Sequence, residues 1–80
     1  MNWEPLLAAA LAARSHSHSP YSRFAVGAAV ETESGEIFSG ANVENRSFGV
    51  TLCAERSAFA AAVSAGHRRF RAVAVVTATS

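Results

Sequence analysis

From Trp3 onward the apolar residues Trp3, Leu6, Leu7, Ala10 and Leu11 recur at the spacing of one helical face, with Pro5 tolerated in the first turn, which predicts an amphipathic helix. The pattern gives way at Ser15-His16-Ser17-His18-Ser19-Pro20, where serines compete with helical hydrogen bonding and Pro20 disfavours a helical conformation at Ser19. Phe24, Val26, Ala28 and Val30 then alternate with Ala25, Gly27, Ala29 and Glu31, predicting a strand with one strongly buried face. Ser34-Gly35 offers a turn, and Ile37 to Glu44 reads as the returning strand of a hairpin, with Asn42 and Glu44 two apart and therefore on one face. A polar stretch from Asn45 to Val50 follows. Thr51 is placed to cap a second helix that runs to Ala65 and stops at Gly66. Its Ala54, Ala58, Ala61, Ala62 and Ala65 make a stripe of small side chains that would let the helix lie close against a sheet. Phe70 to Val76 is almost continuously apolar, as in a central strand covered on both faces. If that strand is parallel to the preceding one, the helix between them is a right-handed crossover.

The predicted order is α-β-β-α-β, with neither repeats nor low-complexity segments beyond the alanine bias and the short Ser-His alternation. At 80 residues this is at most one small domain with a thin stability margin. Half of the residues are apolar, which excludes disorder, although alanine supplies much of that share and each of its methyls buries little area. The longest apolar stretch, Leu6 to Ala13, is too short to span a bilayer, and Glu4 stands where a signal peptide would carry positive charge. A formal net charge of +1, with only Arg68, Arg69 and Arg71 clustered, argues against nucleic acid as a partner. The single cysteine cannot form an internal disulfide and agrees with a reducing, cytoplasmic setting. Because the chain stops just after a strand that would need cover on its other face, residues 1–80 are expected to be the N-terminal part of a single domain.

That cysteine heads the tetrapeptide Cys53-Ala54-Glu55-Arg56. At the first turn of a helix, unpaired backbone amides and the helix dipole favour negative charge on a sulfur, which suits a zinc ligand. Residues two apart on a regular helix point roughly 200° apart, so Cys53 and Glu55 can share a site only if Cys53 lies at the very entrance to the helix. A carboxylate there can take a proton from water activated by a metal and return it to a leaving group, without touching the metal. Arg56 could withdraw charge from metal-bound thiolates. The bland alternative is a packed cysteine followed by two ordinary surface charges.

The chain resembles the small homotetrameric cytidine deaminases of pyrimidine salvage, within the cytidine and deoxycytidylate deaminase superfamily. Three segments carry the likeness: Ser19-Pro20-Tyr21-Ser22-Arg23-Phe24-Ala25-Val26-Gly27-Ala28-Ala29, Gly40-Ala41-Asn42-Val43-Glu44-Asn45 and Cys53-Ala54-Glu55-Arg56-Ser57-Ala58. The resemblance implies a three-layer α/β/α fold with a mixed sheet, of which this chain holds the α-β-β-α-β portion and lacks the C-terminal part. It implies hydrolytic deamination of cytidine or deoxycytidine to uridine or deoxyuridine, with Zn2+ as cofactor and a homotetramer as the assembly. Carried over residue by residue, Cys53 would ligate zinc and Glu55 would shuttle protons. Asn42 and Glu44 would bind the ribose, Phe24 would pack on the pyrimidine, the Ala54 backbone would meet the base, and Arg56 would adjust charge on the sulfurs.

The family's other two zinc ligands come from a Pro-Cys-x-x-Cys motif, which would begin about where Ser80 stands, so the chain alone is expected to be inactive. His16 and His18, one residue apart, together with Cys53 would make a chemically acceptable zinc set, but neither they nor His67 has support from the resemblance. Two alternatives stay open: a non-catalytic deaminase-like module that binds nucleosides or assembles with intact subunits, and an enzyme for another cytosine nucleoside such as blasticidin S. Asn42-Val43-Glu44-Asn45 favours an ordinary ribose.

Overall fold

Alternate residues of the strand β1 (Phe24–Thr32) are buried in opposite directions. Ala28 and Val30 point one way and pack with Ala54, Ala58 and Ala62 of the helix α2 (Ala54–Ser64). Ala29 points the other way, onto Leu6 and Ala10 of the helix α1 (Glu4–Arg14). The expectation of one strongly buried face is therefore corrected: small residues at Ala25, Gly27 and Ala29 leave room for a helix on the second face as well. The computed structural model describes residues 3–19, 24–45 and 50–79.

β1 is the middle strand of a three-stranded sheet, order β2-β1-β5, formed with β2 (Ile37–Ala41) and β5 (Phe70–Thr79). Val30 stands opposite Phe38 on β2 and opposite Val73 on β5, and both pairings are antiparallel. The order of helices and strands is the expected one, and the α/β/α layering follows from the two helices covering opposite faces. Every strand pairing described is antiparallel. β5 and β2 run parallel to each other with β1 between them, and among the described strands β5 stands at the edge of this sheet rather than at its centre. Its Ala72, Ala74 and Val76 pack beneath α1, while Val73 and Val75, on the α2 side, are exposed.

Gly27 under α1 and Gly40 under α2 set how closely the helices approach. A β-carbon on Gly27 would lie 2.0 Å from the carbonyl oxygen of Ala10 and 2.5 Å from the backbone nitrogen of Arg14, so α1 rests on the bare strand backbone. The face α1 buries is Leu6, Ala10 and Ala13, whereas Trp3, Leu7 and Leu11 form an exposed stripe, which corrects the face read from the sequence. On α2 the buried stripe is Ala54, Ala58 and Ala62, and Ala61 and Ala65 face out. Its Phe59 meets Phe70 edge to face, with ring centroids 4.9 Å apart. The hairpin between β1 and β2 turns at Gly35, whose φ of +94° suits glycine, and Thr32 Oγ1 accepts the Glu36 N–H at 3.1 Å.

Glu31, expected on the less buried face of β1, is buried and accepts a hydrogen bond from Nε of Arg71. The register explains how they meet. Glu31 pairs with Ala72 and Thr32 with Phe70, which leaves Arg71 as the extra residue of a β-bulge, the device by which a sheet re-aims one side chain.

Candidate active site

At Ala41 the β2 strand stops, and Asn42 turns its polar groups to two neighbouring segments, β1 and the stretch around Ser17 and His18. Its N–H donates to the Val26 carbonyl at 3.1 Å, while its side-chain Oδ1 accepts the Val26 N–H at 3.0 Å. Its carbonyl accepts the N–H of His18 at 3.1 Å, and Ser17 Oγ donates to the same Oδ1. The residue is 8% exposed, so these bonds satisfy groups that water does not reach freely. The continuous strand expected from Ile37 to Glu44 is thus interrupted: the Asn42 side chain substitutes for a ladder bond to β1, and a separate strand, β3 (Val43–Asn45), starts beyond it. Glu44 donates its N–H to the His18 carbonyl at 2.8 Å, so the segment around His18 runs alongside β3 through a parallel bridge with Val43.

β3 pairs antiparallel with β4 (Val50–Leu52), with Val43 opposite Leu52 and Glu44 opposite Thr51. One step beyond the Val43–Leu52 pair stand Asn42 on one chain and Cys53 on the other. This short ladder is what carries the thiol-bearing segment to the polar end of β2. It also corrects the cap, because Thr51 lies in β4 and Cys53 itself is the N-cap of α2, with extended backbone at φ −72° and ψ 146°. Its carbonyl accepts the Ser57 N–H at 3.1 Å, closing the first helical turn. Standing outside the helix, Cys53 escapes the roughly 200° divergence that regular geometry would impose between it and Glu55.

Cys53 is a free, exposed cysteine, Ala54 beneath it is fully buried, Glu55 is partly buried in the first turn, and Arg56 is exposed. The helix start is held to β2 at two points. Ser57 Oγ donates to the Ala41 carbonyl at 3.2 Å, and a β-carbon on Gly40 would fall 2.5 Å from the Ser57 Cβ. Cys53, Ala54, Glu55, Asn42 and Glu44 therefore gather where β2 ends and α2 begins. Phe24 starts β1, and its side chain lies outside the described residues. His16 and His18 are exposed in the segment after α1, and His67 sits at the far end of α2, 3.1 Å from Glu36 Oε2 and with its ring tilted against that of Phe38.

Among the described residues no three His, Cys, Asp or Glu side chains converge on a point that could hold a metal ion. An exposed thiol at a helix start fits one position of a zinc site, and the described residues do not complete a set of three donors around it. An open surface hollow of about 570 Å³, lined by Glu33, Ser34, Gly66, His67, Arg68 and Arg69, lies at the opposite end of α2, about 16 Å along its axis from Cys53. Ser17 and Ser57 were absent from the residues singled out by sequence, and no local pattern could have found them: their partners are 25 and 16 residues away.

Among known proteins, the cytidine deaminase of Sporosarcina psychrophila is 49% identical over 79 residues, covering 99% of this chain and 58% of that protein. The cytidine deaminase of Halalkalibacterium halodurans is 47% identical over 79 residues, again covering 99% of this chain and 60% of that protein. The crystal structure of cytidine deaminase from Burkholderia pseudomallei superposes with a TM-score of 0.90 at 49% identity, covering 99% of this chain and 64% of that one. The chain thus spans somewhat more than half the length of the relatives it matches. Among the described residues, no helix is long and apolar enough to cross a membrane. With the model of the cytidine and deoxycytidylate deaminase zinc-binding region matching residues 1–80, the chain belongs to the cytidine and deoxycytidylate deaminase family.

Proposed function

We propose that the complete protein hydrolyses cytidine or deoxycytidine to uridine or deoxyuridine and ammonia, using zinc. The observation that carries this reading is the placement of Cys53 as N-cap of α2, one step beyond the ladder that begins next to Asn42. In it, Cys53 is the zinc ligand that this chain contributes. Zinc, when bound, supplies the Lewis acidity that makes water nucleophilic near neutral pH. Glu55 takes the proton of the attacking water, delivers it to the ring nitrogen, and passes a proton to the departing amino group. Asn42 and Glu44 hydrogen-bond the sugar, Phe24 packs on the base, and the Ala54 backbone meets the base edge. Exposed Arg56 offsets negative charge on the sulfur. A cytoplasmic homotetramer acting in pyrimidine salvage, with neither nucleic acid nor membrane as partner, completes the proposal.

A second reading, a nucleoside-binding or assembly module without turnover, draws on the lack of a three-donor cluster among the described residues. One experiment separates the two. The protein is expressed from its complete gene, its zinc content is measured, and ammonia release from cytidine is followed for wild type and for Glu55→Gln. The enzymatic reading expects stoichiometric zinc in both proteins, with turnover in the wild type alone. Zinc-free, inactive protein that still binds cytidine would establish the module instead, and turnover retained by Glu55→Gln would remove the proton-transfer role.

A further inference from the structure

The Asn42 amide is held by two donors on one atom: Val26 N–H at 3.0 Å and Ser17 O–H both meet Oδ1. A primary amide carries its acceptor on one side and its two donor hydrogens on the other. Flipping it would set the NH2 group against the Val26 N–H, in a residue that is 8% exposed, and would forfeit that bond, so Oδ1 faces Val26 and the Ser17 hydroxyl donates to it. The Val26 contact alone fixes the oxygen but lets the amide plane tilt about it. Ser17 approaches from a different segment and removes that freedom. The hydroxyl is itself restrained, because Ser19 Oγ lies 3.2 Å from it and the next residue, His18, is bonded through its backbone to both Asn42 and Glu44.

We propose that Ser17 is a positioning residue that orients the Nδ2 donor of Asn42 towards the sugar of the bound nucleoside. This rests on the reading of Asn42 as a sugar ligand given above. The donor direction is then set before the ligand arrives, so ordering it costs nothing on binding. Ser17 does not touch the substrate, and its influence runs through one amide.

The test uses the protein expressed from its complete gene, with Ser17→Ala, Ser17→Thr and Asn42→Ala, and compares cytidine with 2′,3′-dideoxycytidine, which offers no ring hydroxyl to Nδ2. One neutral hydrogen bond sets the scale, so Ser17→Ala is expected to raise KM for cytidine about three- to tenfold, with kcat changed less than about twofold. The dideoxy substrate should lose little, and Ser17→Thr should recover most of the effect. Asn42→Ala should reduce the preference for cytidine over its dideoxy analogue, leaving the part that Glu44 supplies. If Asn42→Ala leaves that preference intact, the sugar role of Asn42 is wrong. If Asn42→Ala reduces it while Ser17→Ala changes both substrates equally, or neither, the positioning role of Ser17 is wrong and that of Asn42 stands. A readout independent of turnover is the pair of Asn42 Nδ2 proton signals in 15N-resolved NMR, whose solvent exchange should quicken in Ser17→Ala; unchanged exchange and shifts would overturn the proposal.

Discussion

Ser57 occupies the space that a side chain at Gly40 would need: a β-carbon there would sit 2.5 Å from the Ser57 Cβ and 2.7 Å from the Ala58 nitrogen. The nitrogen belongs to the helix backbone and the Cβ is bonded directly to it, so neither can swing aside. Gly40→Ala is therefore expected to cost about 1–3 kcal/mol and to push the start of α2 away from β2. Urea denaturation gives the first quantity, and a parallel loss of zinc affinity would report the second. An unchanged unfolding midpoint would mean that the two elements are not held as tightly as described.

Cys53→Ala separates fold from metal. The side chain is exposed and stands outside the helix, so its removal should alter stability by no more than about 0.5 kcal/mol. Zinc content measured on the purified protein should fall to background. Full zinc occupancy in the variant would exclude Cys53 as a ligand.

Arg71→Ala leaves the Glu31 carboxylate buried without the guanidinium that now donates to it. Half of the arginine faces water, which screens the pair, so the expected loss is about 1–3 kcal/mol rather than that of a fully buried ion pair. Adding Glu31→Gln to this variant should recover part of the loss, because the neutral amide is cheaper to bury. A double-mutant cycle by chemical denaturation measures the coupling, and additive effects would show the pair to be idle.

The 80-residue chain, produced on its own, should release no ammonia from cytidine and should bind zinc weakly, since its described residues bring one thiol to the site without a set of three donors. Tight stoichiometric zinc together with turnover would show that these residues suffice.

Element order, the Gly35 hairpin and the location of α2 were legible in the sequence, because each rests on local spacing: two-residue alternation along β1, a glycine at the turn, alanines four apart. The tetrapeptide at Cys53 was legible for the same reason. What was hidden depends on distant partners. The valines of β5 read as a doubly covered strand, since periodicity reports how apolar a strand is and not which neighbours it obtains. Trp3, Leu7 and Leu11 suggested the inward face of α1 by their spacing with Leu6 and Ala10, but Gly27 draws the helix so close that only Leu6 and small residues fit between. Asn42 stood out by its spacing from Glu44 and by the family resemblance, yet its bonds to Val26 and Ser17 join segments that no local window contains.

Along β5, Val73 and Val75 lie bare on one side of the sheet, and among the described strands only β1 pairs with it. For anyone handling these 80 residues in the test tube, the consequence is colloidal: such a rim is a template on which further strands can add. Turbidity that climbs steeply with concentration, and subsides when a lysine replaces Val75, would trace the stickiness to that border of the molecule.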